Sequence, residues 1–94
     1  MFPWDAEIAW DDDDDPDGNV RHIAEHDLTP EEVESVLINP VNRTILSRSS
    51  GRPMTRGETH TGRFIVVVWE RLCDDPDLIR PVTAYEPDPQ YGGT

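Results

Sequence analysis

"RFIVVVWERL", residues 63–72, is the stretch that decides how this chain folds. It is nearly continuous in β-branched and aromatic side chains, which marks a strand buried on both faces and therefore central in its sheet. C-terminal to it, "CDDPD" (73–77) reads as a turn and "LIRPVTAYEP" (78–87) as a strand running back. Pro81 has no N–H to give a ladder, so it marks an edge, a bulge or a strand end. N-terminal to it, "TG" (61–62) is a turn, "MTRGETH" (54–60) a weaker strand, "SGRP" (50–53) a turn and "TILSRSS" (44–50) a further strand.

Upstream of residue 43 the period changes to helical. Val20, Ile23 and Ala24 follow capping residues at 17–19, predicting a short helix that ends near Asp27. A second helix opens with Thr29 as N-cap, Pro30 in the first turn and Glu32 closing a capping box, and carries Val33, Val36 and Leu37 on one face until Pro40 stops it. The expected class is α+β: a two-helix hairpin packed on one face of a three- to four-stranded antiparallel sheet.

The 94 residues suit one domain, expected over 19–87, with an acidic N-terminal arm and linker at 1–18 and a disordered-looking tail at 88–94. Aromatic and apolar residues at 2, 4, 8 and 10 leave room for a short edge strand or a docked arm, and "DDDDDPDG" (11–18) reads as solvated. The longest apolar run, residues 64–69, is far below the roughly 20 needed to span a bilayer. The first five residues lack the charge and apolar stretch of a signal peptide, so a cytoplasmic protein without a membrane partner is expected. The single Cys73 forms no internal disulfide or zinc-ribbon spacing and reads as a small strand residue.

The net charge of −12 is unevenly spread. Residues 1–18, 19–42 and 64–94 carry −8, −4 and −4, whereas 43–63 carries Arg43, Arg48, Arg52, Arg56 and Arg63 against Glu58 alone, a net +4. The whole-chain charge argues against a nucleic-acid binder, but this segment is the place where RNA or another phosphate would be held. Arg48 and Arg52 flank "SSG" (49–51), so one turn would offer two guanidinium forks and some backbone amides to a phosphate, with Arg56 extending the patch. The plainer alternative is a solvated hairpin whose arginines pair with acids elsewhere. A bolder one has the acidic run 11–15 folding over the arginine hairpin as a nucleic-acid mimic.

Three stretches together, "HIAEHDLTPEEVESVLINP" (22–40), "GRFIVVVWE" (62–70) and "PVTAYEP" (81–87), resemble the BrnT-like toxins and related small domains within the RelE-like ribonuclease fold. The resemblance covers roughly residues 19–87 and implies a toxin-type domain that cleaves RNA without metal or other cofactor and is silenced by an antitoxin protein. It also implies that Trp4-Asp5 match the family's first strand, His26 the histidine ending its first helix and Arg63 the arginine opening its central strand. Glu25 and Tyr85 stand where basic residues are common in the family.

Metal-free RNA cleavage needs a base for the 2′-hydroxyl, an acid for the leaving oxygen and fixed positive charge on the transition state. His22, His26 and Tyr85 suit the first two roles and Arg63 the third. Against this, the two histidines would be partly buried helix residues and Tyr85 a core residue with its hydroxyl at the rim. A metal site through His22, His26 and His60 is the weaker reading, because an i, i+4 pair supplies only two ligands. The competing class is a non-catalytic interaction module that keeps the fold and binds a protein partner or a small anionic ligand.

Overall fold

The computed structural model describes residues 7–39, 41–74 and 77–87. Along the chain they form β1 (Glu7–Ile8), α1 (Asn19–Ala24), α2 (Pro30–Leu37), β2 (Arg43–Leu46), β3 (Pro53–Glu58), β4 (Phe64–Asp74) and β5 (Asp77–Tyr85). The strands make one sheet in the order β1-β5-β4-β3-β2, so the apolar run in β4 is central as its composition requires.

The class is α+β, with two corrections to the expected sheet. It has five strands, and it is mixed, because β1 pairs parallel to β5 through Glu7–Leu78 and Ile8–Ile79 while the other pairings are antiparallel. The short edge strand for which residues 2–10 left room is formed as β1, but two residues carry too little periodicity to fix its partner or direction from sequence. The helices also differ from a simple hairpin: α1 packs on β5, whereas α2 packs on β3 and β4. One core results, in which Ile23, Leu28, Val33, Val36 and Leu37 meet Ile65, Val67, Trp69, Ile79 and Ala84. Burial of these side chains supplies the main driving force, roughly 1.5–3 kcal/mol for each large one.

The opposite pleat face of β4 is buried for another reason. Val66 and Val68 are nearly inaccessible, yet among the described residues no helix covers them. Their cross-strand neighbours flank them instead: Arg56 and Tyr85 beside Val66, Met54 and Thr83 beside Val68. β5 admits Pro81 at a register shift, since Thr83 pairs with Val68 and Pro81 with Trp69, leaving Val82 as the extra residue of a bulge.

α2 forms as its sequence demands: Thr29 accepts from the Glu32 backbone N–H, and the Glu32 carboxylate accepts from the Thr29 N–H. α1 is shorter than expected and ends at Ala24, with Asp27 left-handed at φ 60° in the turn beyond. Its N-cap, Gly18, has no side chain to use. Asp11 takes that role from eight residues upstream, its Oδ2 accepting from the Asn19 N–H at 2.9 Å. The expectation of a solvated linker over 11–18 therefore fails at its two ends, the half-buried Asp11 and the buried Gly18. Asp12 to Asp17 are exposed and turn back on themselves. Among the described residues no helix is long and apolar enough to cross a membrane. Trp4, Asp5, Pro40 and residues 88–94 lie outside the described residues.

Candidate functional site

Arg63 follows the 59–62 turn, which closes with Thr59 N–H donating to the Arg63 carbonyl at 2.7 Å and Gly62 at φ 90°, a conformation glycine adopts without strain. Its guanidinium reaches the α1–α2 turn. There it donates to the backbone carbonyl of Asp27 and, at 3.4 Å, to that of His26. It also donates to Glu86 at 2.8 Å and lies 3.5 Å from Glu32. The fixed positive charge expected of Arg63 is thus matched by two carboxylates and two carbonyls. The Glu86 contact first, then its charge and that of Glu32, raise the Arg63 pKa above its ordinary value, and Arg63 in turn lowers that of Glu86.

Glu32 joins this corner to the helix. Beyond the capping box, its second oxygen accepts from Thr61 Oγ1 at 2.6 Å. That hydrogen bond is the largest cause holding its carboxyl below the usual range; burial opposes it, and the Thr29 amide and Arg63 assist. Ser35 adds a tie by accepting from the His60 N–H at 3.1 Å.

His22, His26 and Tyr85 gather beside the Arg63 corner. The His22 and His26 rings are 6.3 Å apart between centroids, and those of His26 and Tyr85 6.4 Å. Both histidines are exposed, contrary to the expectation of partial burial, and His26 lies past the end of α1. Tyr85 is half-buried at the last position of β5. The structure thus brings together His22, His26, Tyr85 and Arg63.

Arg48, Arg52 and Arg56 are not part of that group. Arg52 immediately precedes β3 and Arg63 follows the turn after it, so the six-residue strand separates them by about 20 Å at ~3.3 Å per residue. Arg48 is exposed in the turn, and Arg52 lies 3.8 Å from Glu70. The turn's amides are also largely committed. Ser47, Gly51, Ser50 and Arg52 donate within it, to the Arg52 and Ser47 carbonyls and the Ser47 and Ser50 hydroxyls. Few of the turn's amides are therefore left for the phosphate expected between Arg48 and Arg52.

Arg56 belongs to a different feature, which the sequence reading missed. It stands directly opposite Arg43 of β2, and the two rim an open groove of about 900 Å³ with Val41, Ile45, Phe64 and Glu58. Neither Arg43 nor Arg56 has an ion-pair partner among the described residues. The floor includes Gly57, where a Cβ would fall 2.2 Å from the Asn42 amide group that lies across it. Glycine inside a strand pattern signals such a close approach and was the available clue.

The acidic run does not reach the arginine hairpin. Its one ion pair among the described residues joins Asp11 to Arg80 at 2.6 Å, and Trp10 Nε1 donates to Glu34 at 2.8 Å. Among the described residues no three His, Cys, Asp or Glu side chains gather as metal ligands, and Cys73 is an exposed strand residue. The chain matches no protein-family model, no curated protein and no solved structure.

Proposed function

We propose that this domain is a non-catalytic interaction module of BrnT-like, RelE-type ancestry that binds a protein partner. The supporting observation is the commitment of Arg63. A ribonuclease would turn this guanidinium toward a phosphorane-like transition state, but here it is neutralised by Glu86 and Glu32 and braces the α1–α2 turn. A phosphate entering the corner would have to displace one carboxylate while facing another. The strand length between Arg52 and this corner also supports the reading, because Arg52 is too far away to share a phosphate with Arg63.

A second reading, a metal-independent endoribonuclease of a toxin and antitoxin pair, is favoured by the grouping of His22, His26 and Tyr85. These supply a base, an acid and a stacking surface within one patch. Induced expression of the wild type beside His26→Ala and Arg63→Ala separates the two readings, with growth, cellular RNA integrity and circular dichroism followed together. The module reading expects folded, abundant wild-type protein with normal growth and intact RNA. Growth arrest with RNA cleavage that His26→Ala abolishes in a folded protein would replace it with the ribonuclease.

A further inference from the structure

From the groove beside β2, we propose that the outer edge of β2 and the face beside it that no described helix covers take an extended, carboxylate-bearing apolar segment of a partner protein, which adds to the sheet as a sixth strand. This rests on the interaction-module reading and names the chemistry of what is bound.

Three observations place the segment there. First, among the described residues β2 is the last strand of the sheet, and alternate backbone N–H and C=O groups on its outer side have no ladder partner there. An extended peptide satisfies such an edge with main-chain hydrogen bonds, independently of its sequence. Second, apolar side chains are exposed at and near that edge: Val41 is 78% accessible and Ile45 48%, and Phe64 on β4 is 51% accessible. All three line the groove, and Val41 and Ile45 stand where alternate residues of an added strand would pack.

Third, the charges in the groove select the ligand. Arg43 and Arg56 face each other across β2 and β3 without an ion-pair partner among the described residues, although the chain carries −12. Two guanidinium groups held side by side repel each other, and a carboxylate between them relieves that repulsion through forked hydrogen bonds. A polyanion fits less well. Glu58 lines the same groove, and the distributed negative charge opposes every additional phosphate of a nucleic acid. A segment with one or two carboxylates meets the arginines at contact distance, whereas acids beyond the Debye length of about 8 Å at physiological salt are screened.

The test selects random decapeptides displayed against the full chain, then measures the enriched peptides by fluorescence polarisation. Enriched sequences should carry apolar residues and Asp or Glu two apart, so that both point to the groove face, and the bound peptide should slow amide exchange at residues 43–46. Arg43→Glu with Arg56→Glu should weaken binding at least tenfold. That pair keeps one like-charge pair in place of another, so the local fold is disturbed little; Phe64→Ser is the independent second variant, again at a tenfold loss. Enrichment of basic peptides, protection elsewhere on the protein, or an oligouridylate decamer displacing the peptide would each overturn the proposal. So would a concentration-dependent dimer that protects residues 43–46 without peptide, since a second copy would then occupy the edge. Absence of any enriched peptide with cellular RNA intact would remove this occupant while leaving the module reading; RNA cleavage would remove both.

Discussion

Asp11 and Asn19 bind each other reciprocally: the Asp11 N–H donates to Asn19 Oδ1, and the Asn19 N–H donates to Asp11 Oδ2, each at 2.9 Å. The Asn19 side-chain amide spends its two protons on the carbonyls of Ala9, at 3.0 Å, and Pro81, at 2.9 Å. Arg80 then donates to the same Asp11 oxygen that caps the helix. One buried amide thus fastens the N-terminal arm, the start of α1 and the bulge of β5.

Asn19→Ala should therefore be among the most destabilising single substitutions outside the apolar core. It strands the Asp11 amide and the Pro81 carbonyl at a site only 2% accessible. The expected loss is about 2–4 kcal/mol, since an unsatisfied buried group costs roughly 1–3 kcal/mol. Urea denaturation measures it, and a change below about 0.5 kcal/mol, the usual range for an uninvolved surface site, would contradict this account.

Gly57 and Asn42 should be energetically coupled. Asn42 Nδ2 donates to the Val36 carbonyl at 2.8 Å, holding the end of α2, while its amide lies over Gly57. Gly57→Ala pushes that amide aside and should cost about 1–3 kcal/mol through overpacking and the lost hydrogen bond. Asn42→Ala alone should cost less. In the double variant the two losses should fall short of additive by about 1 kcal/mol, which a double-mutant cycle reads directly.

Glu32 closes the capping box of α2 and receives Thr61, so Glu32→Ala should lose about 1–3 kcal/mol, beyond a cap alone. Thr61→Val should remove part of the same energy and add little further loss in the Glu32→Ala background. Thermal unfolding of the four proteins tests that sharing.

Acid should destabilise the domain through Glu32 and Asp11. The Thr61 hydrogen bond chiefly lowers the Glu32 pKa from its ordinary 4.5, and the Asn19 amide chiefly lowers that of Asp11 from 3.8. A carboxyl lowered in the folded state binds protons more readily when unfolded, so its contribution is present above those ordinary values. It is lost as pH falls below them through the depressed folded values. Unfolding free energy measured from pH 6 downward should decline most steeply below about 4.5, and Glu32→Gln should flatten that decline.

What the sequence determined by itself is local. The capping box at Thr29 and Glu32, the central position of β4, the strand succession after residue 43 and the irregularity at Pro81 depend on neighbouring residues. Short-range sterics, capping and hydrophobic period therefore write them directly into the chain. The tertiary structure alone decided which charges meet. Arg63 looks like a spare cation until β5 delivers Glu86 and α2 delivers Glu32, partners 23 and 31 residues away. Likewise Arg43 and Arg56 become one feature only through the antiparallel register of β2 and β3, and Asp11 becomes a helix cap only when the arm docks. Register and docking minimise the free energy of the whole core, so side chains far apart in sequence are brought together by contacts that no local pattern encodes.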